Sequence, residues 1–196
     1  MKKIIMATNN KGKIEELRKM LRGFEVISQS ESGIDIDPEE NGKSFIENAK
    51  IKANAIRSII NDAYILAEDS GIMIDALDGY PGVMTKRAAL EEIGKDISNE
   101  QRNEYYIEKL GDNTNRKVVW ETAVCLIEPN GQMKEFIGQV IGEISKSPMG
   151  NGGFGFDPIF YIPEENKTLA QMSFEEKENY SARKRAVVQL VDYLNS

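Results

Sequence analysis

The 196-residue chain contains no histidine. That absence excludes imidazole acid–base catalysis, the Ser-His-Asp and Cys-His nucleophile systems, and histidine metal ligands. Acid–base and metal work therefore fall to carboxylates. Oxygen ligands alone select hard cations, so the expected metal is Mg2+, or Mn2+ in its place, rather than Zn2+ or copper. The single cysteine, Cys125, excludes an intramolecular disulfide, and its apolar surroundings read as core. No apolar run approaches the roughly 20 residues of a membrane span. The stretch after Met1-Lys2-Lys3 is too short for a signal peptide, so a cytoplasmic location without a membrane partner is expected. Basic charge is also scarce: 25 Lys and Arg stand against 32 Asp and Glu, a net charge of -7. A nucleic-acid polymer, which needs a continuous basic face, is thereby excluded as the main partner, and any phosphate site must be local. No internal repeat or low-complexity linker interrupts the chain, which reads as a single domain over residues 1–196.

What is present alternates between strand and helix patterns. Lys3-Ile4-Ile5-Met6-Ala7 is a buried-strand run, broken at Thr8-Asn9-Asn10 and followed by a helical pattern with Ile14, Leu17, Met20 and Leu21 on one face. A strand pattern at Glu25-Val26-Ile27-Ser28 leads to an acidic, turn-rich segment from Glu31 to Gly42. Ser44 and Glu47 then have capping-box spacing and open a helix predicted to reach about Ile60. Tyr64-Ile65-Leu66-Ala67 predicts a strand that ends at Glu68-Asp69 and the turn-former Gly71. After Gly79-Tyr80-Pro81-Gly82 two helical segments are expected, the second opening at Ser98 with Gln101 in capping position and closing at Leu110-Gly111. The alternating segments 117–128 and 133–144, joined at Pro129-Asn130-Gly131, predict a hairpin in the middle of a sheet. A glycine-dense loop at 150–155, a strand-like run at 158–162 and helical patterns from Ser173 and from Ser181 to Leu194 complete the chain.

Several groups of side chains can carry chemistry. Thr8-Asn9-Asn10-Lys11-Gly12-Lys13 opens a helix, where free N–H groups and the helix dipole favour an anion; an ordinary polar turn with solvated lysines fits as well. It has neither P-loop nor dinucleotide-fold spacing. Glu39, Glu40, Glu68, Asp69 and Asp75 are candidate carboxylates for an oxygen-coordinated cation if the fold brings them together; a solvated loop at Glu39-Glu40 and a turn at Glu68-Asp69 are the other reading. Of these, Glu68-Asp69 is favoured, because it follows an apolar strand and precedes Ser70 and Gly71, which suit close approach of a ligand. Asn48 and Lys52 lie one helical turn apart, a surface pair unless a carboxylate meets them. In Gly152-Gly153-Phe154-Gly155-Phe156-Asp157-Pro158 the glycines permit close approach, the aromatics can stack on a base, and the aspartate can accept from ring N–H groups; this binding loop is favoured over the other reading, a flexible loop with two core phenylalanines. Lys177 and Ser181-Ala182-Arg183-Lys184-Arg185 form a basic cluster suited to a phosphate or a purine edge, or to solvent.

Taken in order, these motifs resemble the family of inosine triphosphate pyrophosphatases, the Ham1-like proteins. The resemblance covers nearly the whole chain and is carried by residues 8–13, 40–53, Glu68-Asp69-Ser70-Gly71, Pro81-Gly82, Gly152 to Pro158 and Ser181 to Arg183. It implies hydrolysis of inosine, deoxyinosine and xanthosine triphosphates to the monophosphate and pyrophosphate. It also implies an α/β fold with a mixed twisted central sheet flanked by helices, two lobes with an active-site groove between them, and a homodimer.

Carried over by residue, the resemblance gives the triphosphate to Thr8, Asn10 and Lys13 within the 8–13 run. Lys52 would contact phosphate, Ser70 would approach the substrate, and Glu40 and Asp69 would hold Mg2+, with Glu68 as a further ligand. Asp69 would also activate the water. Phe154, Gly155, Phe156 and Asp157 would frame the base, with Lys177 and Arg183 donating to its 6-keto oxygen. The family's Ser-His-Arg is Ser181-Ala182-Arg183 here, which removes one base contact at Ala182, and Ala88 stands where the family often has an aromatic. A house-cleaning pyrophosphatase for other modified nucleotides and a nucleotide-binding module of weak activity are the alternatives.

Overall fold

The computed structural model describes residues 2–85, 87, 88, 92, 94, 95 and 97–196. The strands are β1 (Lys3–Met6), β2 (Glu25–Ser28), β3 (Tyr64–Ile74), β4 (Lys117–Ile127), β5 (Met133–Ile144), β6 (Phe160–Ile162) and β7 (Lys167–Thr168). The helices are α1 (Lys11–Met20), α2 (Phe45–Arg57), α3 (Asn99–Leu110), α4 (Phe174–Glu178) and α5 (Ala182–Asn195). One seven-stranded mixed sheet has the order β2-β1-β3-β4-β5-β6-β7, which puts β4 in the middle as the hairpin reading required. The chain forms two compact units. The first comprises Met1–Ser70, Thr122–Gly138 and Arg183–Ser196, the second Gly71–Glu121 and Gln139–Ala182. No helix among the described residues is long and apolar enough to cross a membrane.

In the first unit β1 runs parallel to both β2 and β3, pairing Ile5 with Ile27 and with Ile65. Successive side chains of a strand point to opposite faces. Ile4, Met6, Val26 and Leu66 therefore bury against Ile14, Leu17 and Leu21 of the α1 region and Ala186, Val187 and Leu190 of α5. Ile5, Ala7, Ile65 and Ala67 bury on the other face against Ala49, Ala53 and Ile56 of α2. Strands covered on both faces need apolar residues at every position, which is why β1 reads as an unbroken hydrophobic run. Cys125 lies in this core, and burial pushes its thiol up to about 12, consistent with an inert packing residue.

The second unit is built on aromatics. Tyr106, Phe156, Trp120 and Phe160 meet at ring-centroid distances of 5.6 to 6.3 Å among Ile72, Ile74, Val118, Val140 and Ile144. β5 alternates exposed and buried residues through this region, as a sheet with one open face does, and β6 pairs antiparallel to it.

Most predicted elements appear with their expected ends. α3 is capped by a reciprocal box of Ser98 and Gln101 and stops at Gly111. α2 ends at Arg57 rather than near Ile60. The first helical segment expected after Gly82 falls partly outside the described residues; the described part holds a 3-10 turn, Gly82–Met84, and the helical residues Ala88 and Glu92. The principal correction concerns β3, which does not end at Ala67 but continues through Glu68, Asp69, Ser70 and Gly71 to Ile74. The strand goes on; it is its neighbour β1 that stops, at Met6 opposite Leu66.

Gly142 of β5 has no room for a side chain, since a Cβ there would lie 2.6 Å from the Phe160 ring and 2.6 Å from the Tyr161 carbonyl oxygen. Gly142→Ala is expected to lower stability by about 1–3 kcal/mol, as overpacking does. Denaturant melts of the two proteins test this, and an unchanged midpoint would contradict the close β5–β6 approach.

Candidate active site

Beyond Ala67 the period-2 alternation of β3 decides where its carboxylates go. Leu66 buries with α1 and α5, and two residues on Glu68 takes the same direction. Ala67 buries with α2, and two residues on Asp69 follows it. The adjacent acids thus serve opposite faces of the sheet.

On the α2 face, Ser44 caps the helix by accepting from the Glu47 amide at 3.3 Å, and Phe45, Ala49, Ala53 and Ile56 anchor its apolar stripe. This orientation sends Asn48 and Lys52 to β3. Asn48, 1% exposed, donates from Nδ2 to Asp69 Oδ2 at 3.0 Å and accepts the Gly42 amide on Oδ1 at 2.9 Å. Lys52 Nζ lies 3.2 Å from Glu40 Oε2 and 3.3 Å from Asp69 Oδ1, so one ammonium ties the two acids together. Gly42 makes the approach possible: a Cβ there would fall 2.7 Å from Asn48 Oδ1 and 2.9 Å from the Asn48 amide nitrogen.

Among the described residues no three acids gather closely enough to form a metal cage by themselves. Glu40 and Asp69 instead offer two carboxylates around one cationic group, a donor set that suits Mg2+, which binds through one or two carboxylates and completes its shell with water and substrate phosphate.

On the other face Glu68 is 5% exposed and holds two cations. Arg183, at the start of α5, donates Nε to Oε2 at 2.9 Å and Nη2 to Oε1 at 3.0 Å, while Lys13 Nζ of α1 lies 2.9 Å from Oε1. The remaining arm of Arg183, Nη1, bonds Glu16. Burial alone would raise the Glu68 carboxyl, but Lys13 and Arg183 outweigh it and hold it at about 2. Two side chains are placed otherwise than expected. Glu68 is not brought together with Glu40 and Asp69 as a metal ligand, because the strand turns it to the other face. Arg183, which the resemblance gives to the base, has its guanidinium bonded to Glu68 and Glu16, the counter-charges a buried guanidinium needs. Glu16 was missed; its only signal was its position one turn beyond Lys13 on an otherwise ordinary polar helix face.

The 8–13 run forms the loop and first turn of α1. Asn10 is its N-cap, accepting the Lys13 amide at 3.1 Å, and its own amide donates to Thr8 Oγ1 at 3.2 Å. Asn9, Lys11 and Gly12 are exposed, and Thr8 and Lys13 half-buried. The first turn carries no acidic residue to compete with an anion. Ser70 is half-buried on β3, directly after Asp69.

In the second unit the glycine loop folds around Asp157. This side chain is 1% exposed; Oδ2 accepts the Phe154 amide at 2.8 Å and a short contact from Lys177 Nζ, while the buried Oδ1 has no partner among the described residues. A buried carboxylate oxygen without a donor is costly and calls for one from a ligand or water. Lys177 Nζ also sits 5.3 Å above the ring of Phe154, which is 71% exposed and so available for stacking. Gly153 permits this geometry, since a Cβ there would lie 1.9 Å from Asp157 Oδ2. Phe156 is 6% exposed and packs edge-on against Tyr106 and Trp120, as a core phenylalanine does. Ala182 is also buried, in the same core cluster, and Gly155, at a positive φ of 63°, lies between the two phenylalanines.

The model of the Ham1 family matches residues 4–193, almost the whole chain. The chain belongs to the Ham1 family. A dITP/XTP pyrophosphatase of Staphylococcus aureus (strain MRSA252) is 39% identical to this Ham1 chain over 194 residues, covering 99% of it and 97% of the relative. A dITP/XTP pyrophosphatase of Clostridium perfringens (strain 13 / Type A) is 39% identical over 203 residues, with 99% and 98% covered. The solved Ham1 protein of Staphylococcus aureus superposes with a TM-score of 0.90 at 38% identity, covering 99% of this chain and 98% of that one.

The two β3 acids of this Ham1 chain are expected to fail differently when neutralised. Glu68→Gln leaves Arg183 and Lys13 without their shared buried anion and should cost about 3–5 kcal/mol of stability. Because Glu68 sits below the ordinary glutamate value of about 4.3, its contribution is complete above that pH and fades as pH falls toward about 2. Urea melts of wild type and Glu68→Gln from pH 7 to pH 2.5 should therefore converge on the acid side; a constant difference across that range would contradict the assignment.

Proposed function

We propose that this chain hydrolyses inosine, deoxyinosine and xanthosine triphosphates to the monophosphate and pyrophosphate, and so removes deaminated purines from the nucleotide pool. The observation that carries the reading is Asp69, clamped between Asn48 and Lys52 with Glu40 on the same ammonium, in a chain whose full-length relatives are named dITP/XTP pyrophosphatases. Asn48 and Lys52 fix the Asp69 carboxylate in one orientation, as a group that must receive a proton from a water requires. Attack of that water on the α-phosphorus forms the new P–O bond while the bond to the β-phosphate bridging oxygen breaks. The electron pair leaves with pyrophosphate and the proton goes to Asp69.

Mg2+, which Glu40 and Asp69 would hold, supplies neutralisation of phosphate charge and acidification of bound water. Lys52 adds a positive charge toward the phosphates, and Lys13 with the Thr8-Asn9-Asn10-Lys11-Gly12 turn provides the cationic helix end for the rest of the triphosphate. Glu68 and Arg183 support this indirectly by keeping Lys13 and the start of α5 in place.

For the base we assign Phe154 as the stacking surface, Lys177 as donor to a 6-keto oxygen and Asp157 Oδ1 as acceptor for the adjacent ring N–H. Adenine offers no 6-keto oxygen and no proton at that ring nitrogen, so buried groups would be left unpaired. Ala182 supplies no polar group, and discrimination falls on Lys177 and Asp157.

The test is incubation with Mg2+ and a panel of purine and modified pyrimidine triphosphates, with separate detection of pyrophosphate and orthophosphate. Inosine and xanthosine triphosphates should yield pyrophosphate and lead the panel; orthophosphate as the first product would overturn the reaction assignment. Asp69→Asn should fold normally and lower kcat by at least about a hundredfold, the scale of a lost general base. Turnover at the wild-type rate would remove Asp69 from the chemistry.

A further inference from the structure

The apolar stripe of α3 contains one residue that does not belong there by polarity. The helix buries Asn103, Tyr106 and Leu110, spaced at i, i+3 and i+7. An amide in such a stripe is unfavourable unless it is hydrogen-bonded. Asn103, 3% exposed, donates from Nδ2 to the carbonyl oxygen of Gly155 at 2.9 Å, across 52 residues of sequence. Only the NH2 end of the amide can meet a carbonyl, so its orientation is fixed. Its Oδ1 has no partner among the described residues, so this single bond to Gly155 is the contact that justifies a polar residue here.

Helix α3 grips the glycine loop at two successive residues. Asn103 holds the Gly155 carbonyl, and one turn on Tyr106 takes the Phe156 ring edge-on at 5.7 Å. The residues on either side of this grip are Phe154 and Asp157. Gly155 itself, at φ +63°, has no side chain to hold it, and among the described residues the bond from Asn103 is the hydrogen bond made to its peptide. Other ties hold the loop on either side of Gly155: the Gly152 amide donates to the Ala170 carbonyl and the Ala170 amide to the Asp157 carbonyl, both at 3.0 Å, the Phe156 carbonyl accepts the Ile159 and Phe160 amides at 2.9 Å, and Asp157 Oδ2 accepts the Phe154 amide.

We propose that Asn103 is a positioning residue for base recognition: without touching substrate, its bond to Gly155 sets the loop so that Phe154 and Asp157 are held ready for the purine. The inference rests on the reading of Phe154, Asp157 and Lys177 as the base-facing group. It differs from a general packing role, because the triphosphate and hydrolytic residues are held by other elements.

The test uses Asn103→Asp, which presents an acceptor to the Gly155 carbonyl, and Asn103→Ser, which is too short to reach it and avoids a new charge. Both should raise KM for inosine triphosphate about tenfold, the equivalent of one lost hydrogen bond, with kcat within about twofold. Inhibition by inorganic tripolyphosphate, a probe without a base, should stay unchanged. Hydrogen exchange of residues 152–157 in the nucleotide-free protein should quicken while exchange in β1 and β3 does not. Unchanged loop exchange would overturn the proposal, as would parallel loss of kcat and tripolyphosphate inhibition, which marks a merely structural role. If the wild type hydrolyses no purine triphosphate, the functional reading falls, and the loop-exchange comparison still decides for or against Asn103.

Discussion

An extended strand turns successive side chains to opposite faces, and β3 keeps that geometry through Glu68 and Asp69 after its neighbour β1 has ended at Met6. The consequence is a division of labour between adjacent acids. Glu68 faces α1 and α5, where Lys13 and Arg183 surround it; Asp69 faces α2, where Asn48 and Lys52 orient it. Had the chain turned at Ala67, both carboxylates would have been released into a loop and neither helix could have claimed one.

The two faces carry different energetic burdens. On the Glu68 side a buried anion is balanced by two cations, and removing any one member leaves uncompensated charge, so the network demands that α1, β3 and α5 keep their mutual register. On the Asp69 side the arrangement is looser in charge but tight in space: Gly42 must lack a side chain for the segment bearing Glu40 to reach the head of α2. Rigid secondary structure thus supports the groups to which phosphate chemistry is assigned. In the second unit the same logic appears in different materials. A buried carboxylate, Asp157, is steadied by Lys177 and one backbone amide, and an aromatic core fixes Phe156 so that Phe154 is left exposed.

Much of this was readable from residues alone. The serine caps at Ser44, Ser98 and Ser173 marked helix starts because each places a hydroxyl on a free amide, and the alternation of β4 and β5 marked the hairpin. Asn48 and Lys52 were placed on one helical face by their spacing, and both meet Asp69. The failures share a cause. A polar run was read as the end of a strand, although what ended was the neighbouring strand, an event that leaves no local mark. The chemistry of Arg183 and Phe156 suits a base, but it does not reveal the partners the fold gives them, Glu68 and Glu16 for Arg183 and Tyr106 and Trp120 for Phe156. Asn103 gave no signal, since one polar residue in an amphipathic helix is ordinary until its partner, distant in sequence, is known.

The central claim is that Asp69, and not its neighbour Glu68, belongs to the metal- and phosphate-facing group. Mn2+ binding, followed by electron paramagnetic resonance in the presence of a non-hydrolysable inosine triphosphate analogue, tests it most directly in folded samples of Glu68→Gln, Asp69→Asn and Glu40→Gln. The account predicts that Mn2+ affinity falls at least about tenfold in Asp69→Asn and Glu40→Gln and stays within about twofold of wild type in Glu68→Gln. An equal fall in Glu68→Gln would contradict the division of the two acids between opposite faces of β3.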